Sequence, residues 1–358
     1  MCWLPYLFFI STENLPLQNR VIIVGLFSNA DTAPVTQASV LANSLDKYGV
    51  EVITTSKHTS KWKRLLDVIF TMLLKQSRYD IAIVQFYSGN SFIWQYIAAH
   101  LAKLLGKKLI FTVHGGAVQQ KLSSSIGSRY KRLLLKADII TVPSAYMQHE
   151  LKKHGLTAVL IGNIIDLKQY HFQDKQQLSP KLMWMRAFSD IYNPLLAVRV
   201  VNELKQKYPN IKMMMGGPDL GLLDETKQLI SKLKLESNIE IVGFMNMDLK
   251  QYYASQCDVY ISTNRVDNAP VTFLEMWAMG LPVVSTDVGG INNLLDNEIT
   301  GLVVKDSDYK EMASAVDRLI EDNILAQSII HQARLKVKNY DEEVVVPKWS
   351  ELLNGINK

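Results

Sequence analysis

A chain of 358 residues is longer than one hydrophobic core usually grows, so two domains of ordinary size are expected, and 48% hydrophobic residues suffice to fill both cores. A mean hydropathy of +0.02 and a 20% share of charged residues exclude a disordered or fibrous chain, and no run approaches the ~20 apolar residues of a membrane-spanning helix. The formal charge is uneven: residues 1–176 hold 20 Lys and Arg against 10 Asp and Glu, net +10, whereas 177–358 hold 19 against 24, net −5. A basic first half suits an anionic partner such as a membrane surface, a lipid-linked phosphate or a nucleic acid, unless its lysines are merely solvated.

Residues 1–10 are apolar but lack a basic flank and are interrupted by Pro5, so they do not read as a signal peptide. The two cysteines, Cys2 and Cys257, supply neither a disulfide framework nor a metal-ligand set, which fits a reducing, cytoplasmic setting. From residue 20 onward short apolar runs at 20–25, 50–54, 81–86, 108–113, 139–142 and 158–161 alternate with helical stretches. That alternation predicts a parallel sheet with crossovers on both faces, one doubly wound domain. Within it, residues 61–75 set Trp62, Leu65, Leu66, Ile69, Met72 and Leu73 at helical spacing behind a basic start. Such a helix either faces the core or lies on an anionic membrane with Trp62 at the interface.

The segment 166–180 is polar and aperiodic, as a linker is. A second alternation follows at 182–185, 211–215, 239–242, 259–262, 283–285 and 302–304. The expected organisation is an N-terminal domain over 1–165 with its linker running to about 180, a C-terminal domain over 181–340, and a terminal helix over 341–358. Two such domains place the carboxyl ends of their strands across a cleft, where open α/β sheets bind ligands. Neither a Gly-x-x-x-x-Gly-Lys-Ser/Thr loop nor a Gly-x-Gly-x-x-Gly after a strand is present, which argues against a dinucleotide dehydrogenase.

Residues 264–290 carry the strongest signal. Asp267 and Glu275 bracket a helix start at Asn268, Ala269, Pro270 and Val271, with Pro270 placed in the first helical turn. The exposed N–H groups and partial positive charge of such a start suit a bound diphosphate. Gly280 ends the helix, 281–285 reads as a buried strand, and Gly289 and Gly290 allow close backbone approach. Taken alone, Glu275 is a partner for the helix dipole and Asp267 a cap.

This pattern resembles the donor-site signature of retaining family 4 glycosyltransferases of the GT-B fold, also described as glycosyl transferases group 1. That signature has two acids seven residues apart, then a helix, Gly-x-Pro-Val-Val and Gly-Gly. Further matches fall in the family's order at His114 with Gly115 and Gly116, at 137–144, at 162–166 and at Gly216–Gly217–Pro218, so the likeness covers about 20–340.

The resemblance implies two Rossmann-like domains facing a central cleft, with the terminal helix crossing back onto the first domain. It gives Glu275 the ribose hydroxyls of the nucleotide and Asp267, where the family most often has Glu, the hydroxyls of the donor sugar. The main chain of Asn268, Ala269, Pro270 and Val271 would face sugar and diphosphate. Arg186, at the end of the first strand of the second domain, would clamp phosphate oxygens, and His114 would meet the donor sugar near the reaction centre. Gly216, Gly217, Gly243 and Phe244 would border the base.

The chain departs from the family in two places. The lysine usually found shortly after the arginine is replaced by Asp190–Ile191–Tyr192–Asn193–Pro194, so either helix N–H groups at 193–195 take over, or another basic residue reaches in, or phosphate binding is weaker than usual. The glycine-rich turn after the first strand retains only Gly25, with Ser28, Asn29 and Thr32 as polar alternatives.

The resulting expectation is a metal-independent hexosyltransferase that uses no cofactor and takes a UDP- or GDP-linked sugar to a glycan or polyprenyl-linked acceptor. Surface polysaccharide synthesis at the cytoplasmic side of an anionic membrane is the expected setting, and no nucleic acid is involved. The alternatives are a nucleotide-sugar epimerase or phosphorylase on the same fold and a noncatalytic nucleotide-sugar- or glycan-binding subunit.

Overall fold

A computed structural model of the chain describes residues 19–27, 35–58, 60–87, 92–115 and 118–356. Residues 1–10, Ser28, Asn29, Thr32 and Gly116, all singled out above, lie outside them. The first sheet contains β1 (Arg20–Val24), β2 (Glu51–Thr55), β3 (Ile81–Phe86), β4 (Lys108–Val113), β5 (Ile139–Val142) and β6 (Val159–Leu160) in the order β2-β1-β3-β4-β5-β6. The second contains β7 (Lys181–Met185), β8 (Lys212–Gly216), β9 (Ile239–Gly243), β10 (Val259–Ser262), β11 (Val283–Thr286) and β12 (Leu302–Val304) in the order β12-β11-β10-β7-β8-β9. Every pairing is parallel. Each expected strand is present, with its ends within one residue of the apolar run that announced it.

Strand periodicity distributes each sheet between two cores. In β1, Ile22 and Val24 join one cluster while Val21 and Ile23 join the other. In β7, Leu182 and Trp184 point to one side and Met183 and Met185 to the other. The chain after β6 leans on the second domain, where Leu178 joins one core and Ile165, Leu167 and Tyr170 pack on the other. The final helix, Glu342–Gly355, returns to the first domain, and its Val345, Val346, Trp349 and Leu353 are buried against Val21, Ile23, Leu41 and Leu45.

The helix Lys61–Leu74 has an apolar arc wider than its contact with the protein. Val68 and Met72 are buried and Leu65 packs beside them. On the outer half of the arc Trp62 is 77% exposed and Phe70 56%, with Leu66, Leu73 and Leu74 also open to solvent. At 100° per residue positions 62, 66, 70 and 73 fall on one side and 65, 68 and 72 on another. The single apolar stripe expected from the sequence is therefore divided between core and surface.

Candidate active site

In the second sheet the order in which strands are laid down reverses at β7, which lies between β8 and β10. The carboxyl ends of β7 and β10 flank this switch point, where open α/β sheets leave a crevice. Arg186 follows β7 and the loop to Asp267 follows β10, so topology alone brings them together. The nearby backbone is held from below: Trp184 Nε1 donates to Thr263 Oγ1 at 2.8 Å, and that hydroxyl donates to the Tyr192 carbonyl at 2.7 Å.

Arg186 donates from Nη2 to Asp267 Oδ2 at 3.1 Å, and its guanidinium lies 5.4 Å from the Tyr192 ring centroid. Burial works against the charge, yet Tyr260 and Asp267 hold the guanidinium pKa above its ordinary value. Burial raises the Asp267 carboxyl above the usual carboxylate range, with Arg186 pulling the other way. Asp267 Oδ2 also accepts from Asn264 Nδ2 at 2.7 Å, and Oδ1 accepts from the Asn268 N–H at 2.8 Å.

Asp267, expected to face sugar hydroxyls, has both oxygens in hydrogen bonds within the protein, from Arg186, Asn264 and the Asn268 N–H. The Asn268 N–H, expected to face the ligand, is bound to Asp267. Pro270 is also displaced by one position: with φ −64° and ψ 114° it precedes the helix Val271–Met279 rather than opening it.

The glycine pair after β11 supports this loop. A Cβ on Gly289 would lie 2.1 Å from the Asp267 carbonyl oxygen, and one on Gly290 would lie 2.1 Å from that of Asn268. Gly290 N–H donates to the Asp267 carbonyl at 2.9 Å. The close approach expected at these glycines is thus made by the acidic loop itself.

Glu275 sits in the second turn of its helix and is 8% exposed. Tyr170 donates its hydroxyl to Oε1 at 3.3 Å, and the same oxygen pairs with Lys250 Nζ. Lys250 comes from the helix Met247–Gln256, whose N-cap Asn246 accepts from the Leu249 N–H at 3.0 Å.

The first domain reaches the acidic loop through Asn163 Nδ2, which donates to the Ala269 carbonyl at 2.9 Å, and through Ser144 Oγ, which bonds Asn268 Oδ1. His114, after β4, stacks on Tyr87, after β3, with ring centroids 6.1 Å apart and planes 27° from parallel. Burial pushes the His114 pKa down to about 4, with Asn163 drawing it slightly upward. Buried polar atoms without a partner near the loop are Arg186 Nε, Asn264 Oδ1 and Asn268 Nδ2, and others lie in the first domain at Gln85, Trp94 and Gln95.

A cavity of about 1220 Å³ opens between the two domains. Of the residues expected to bind donor, Arg186, Gly217, Phe244, Val271 and Glu275 line it, whereas Asp267, Asn268, Ala269, Pro270 and His114 are not among its lining residues. Gly217 admits the Arg186 backbone, since a Cβ there would fall 1.8 Å from the Arg186 carbonyl oxygen and its φ is +149°. Gly216 packs under Met245, and Gly25 abuts Ala38 and Gln85. These two, with Gly243, do not line the cavity. Lys250, Tyr170, Tyr192 and Asn163 were not assigned roles from the sequence. Lys250 alone had a legible signal, a cation one helical turn beyond the loop expected to hold the base. Among the described residues no group of three or more His, Cys, Asp and Glu side chains gathers as metal ligands.

Residues 25–169 match the family model described as Glycosyltransferase Family 4, and residues 169–336 match Glycosyl transferases group 1. The amylovoran biosynthesis glycosyltransferase AmsK of Erwinia amylovora is 23% identical over 311 residues, 82% of this chain and 74% of that one. The UDP-Gal:alpha-D-GlcNAc-diphosphoundecaprenol alpha-1,3-galactosyltransferase of Escherichia coli is 24% identical over 275 residues, 71% of this chain and 69% of that one. The structure of Anabaena HepE in complex with UDP and glucose superimposes with a TM-score of 0.75 over 94% of this chain and 100% of that one, at 14% identity. The paired parallel sheets, the cleft at their strand ends and the two adjoining family matches place this chain among the GT-B glycosyltransferases of the family 4 and group 1 type.

Proposed function

We propose that this chain is an active, retaining, metal-independent hexosyltransferase that moves a sugar from a nucleotide diphosphate sugar to a glycan or lipid-linked acceptor of a surface polysaccharide. The observation that carries this reading is the wall formed by Arg186 and Glu275: a fixed guanidinium and a nearly buried carboxylate line the same cleft. Because Tyr170 and Lys250 both meet Oε1, the second carboxylate oxygen of Glu275 is left to accept ribose hydroxyls.

The donor diphosphate accepts hydrogen bonds from Arg186, whose planar fork suits phosphate oxygens. As the bond from the anomeric carbon to the diphosphate oxygen lengthens, negative charge grows on the leaving phosphate. Arg186 stabilises that charge more strongly in the transition state than in the ground state. The acceptor hydroxyl approaches from the face the diphosphate leaves, its oxygen bonds the anomeric carbon, and its proton passes to a leaving phosphate oxygen. The products are a nucleoside diphosphate and the lengthened acceptor. Asp267, engaged by Arg186, Asn264 and its own loop, serves to aim the guanidinium.

The exposed apolar face around Trp62 and Phe70, flanked by Lys61, Lys63 and Arg64, is suited to rest on an anionic membrane, with the cleft turned to a lipid-linked acceptor. The naming of one relative for a diphosphoundecaprenol-linked substrate supports an acceptor of that class.

The deciding experiment is a thermal-shift panel of UDP-, GDP- and ADP-sugars on wild type and Glu275→Ala. One selective shift, lost in the variant, is expected; no shift with any donor would return weight to a noncatalytic subunit. Product anomeric configuration read by NMR tests retention, and undiminished turnover in EDTA tests metal independence.

A further inference from the structure

The cleft holds two cations on two acids: Arg186 on Asp267 and Lys250 on Glu275. All four side chains are nearly buried, with the Lys250 and Glu275 side chains 14% and 10% exposed. Within this set the charges cancel, so a bound diphosphate adds negative charge to a neutral wall. Without Lys250 the wall would carry a net negative charge beside the incoming dianion.

The sequence left open what replaces the lysine missing after Arg186. Of the helix N–H groups at 193–195, the first two are not available. The Asn193 N–H is bound to the Ser189 carbonyl at 3.0 Å and lies 3.3 Å from that of Asp190, and Pro194 has no N–H to offer. Lys250, in contrast, lines the same cavity as Arg186 and Glu275 and carries its charge on a flexible stem with three donors.

We propose that Lys250 is the second cation of the donor site, holding a phosphate oxygen next to the ribose while one of its donors stays on Glu275. This rests on the donor-site reading above and deepens it. One ammonium group thereby serves two purposes: it permits a nearly buried carboxylate to stand beside a diphosphate, and it ties ribose recognition to phosphate recognition. A charge brought from the helix after β9 also replaces one the family supplies after β7. The electrostatic requirement of the site is thus met from a different element at the same place.

Binding of UDP, GDP, uridine and guanosine to wild type, Lys250→Met and Lys250→Arg by calorimetry separates this role from a structural one. Charged hydrogen bonds of this kind correspond to roughly tenfold or more in affinity. Lys250→Met is therefore expected to weaken the diphosphate that wild type prefers at least tenfold. Its nucleoside should stay within about twofold, and Lys250→Arg should recover most of the loss. The wild-type affinity should also fall with added salt more steeply than that of Lys250→Met. An equal loss for nucleoside and diphosphate would mean that Lys250 only orients Glu275 and would overturn the proposal, as would an unchanged diphosphate affinity. Failure of the wild type to bind any nucleotide would instead overturn the donor-site reading beneath it.

Discussion

Arg186 and His114 show how burial and neighbours set what a single side chain can do. Arg186 is fixed by Asp267 and faces Tyr192, so its geometry is prepared before any ligand arrives. Arg186→Lys keeps a charge but loses the planar fork, and we expect kcat to fall at least tenfold with a smaller change in KM, as measured by steady-state transfer. Equal effects on both constants would show that the residue binds ground and transition states alike. His114 has a pKa of about 4 in the folded protein against 6.5 for the free side chain. The unfolded chain therefore takes up the proton first. Above about pH 6.5 this group leaves stability unchanged, and between 6.5 and 4 it lowers stability progressively as pH falls. His114→Asn should flatten the acid slope of Tm in that window, and an unaltered slope would contradict the assignment.

At the scale of elements, the site is made by strand ends and the turns behind them. Gly217 allows the chain after β8 to cross the Arg186 backbone. In Gly217→Ala the added carbon meets that carbonyl at 1.8 Å in a backbone conformation alanine rarely adopts. Displacing Arg186 by an ångström is expected to cost on the order of 100-fold in kcat/KM, with a modest drop in Tm. Activity near wild type would show that the strand end is not held by this contact. The helix Lys61–Leu74 makes the opposite prediction. Trp62 and Phe70 are exposed, so replacing both by Ser should leave stability within about 0.5 kcal/mol per site. The same variant should lose binding to vesicles of anionic lipid, as should neutralisation of Lys61, Lys63 and Arg64 in a salt-dependent manner. Equal wild-type binding to neutral vesicles would argue against electrostatic docking.

Across the whole molecule the two domains are joined three times: through the chain after β6, through the contacts of Asn163 and Ser144 with the acidic loop, and through the returning C-terminal helix. Trp349 on that helix is 3% exposed within the first domain's core. Trp349→Ala should remove about 3–5 kcal/mol of stability, seen as a lowered first transition in chemical denaturation. An unchanged transition would mean that the helix is an ornament on that core. Glu342, at the start of the same helix, takes Ser44 Oγ at 3.3 Å and pairs with Lys47, so the return is anchored at its first turn as well as along its face.

The strands were legible in the sequence because a strand buried on both faces must be a short apolar run, and each run here was bounded by turn residues. Glu275 and Arg186 were singled out by the resemblance of their surroundings to the family signature, and both line the cavity. Three matters were decided only by the tertiary structure. Asp267 meets Arg186, 81 residues earlier in the chain, only through the fold, while Asn264 and the Asn268 N–H of its own loop hold its carboxylate locally. Gly216 lies against Met245 and Gly25 against Ala38 and Gln85, since what lies across from a glycine depends on packing. Lys250 reaches Glu275, 25 residues further along, only because the two helices that carry them lie side by side. Periodicity and local backbone chemistry act within a few residues and can be read along the chain, whereas charge pairing and steric approach act through space and await the fold.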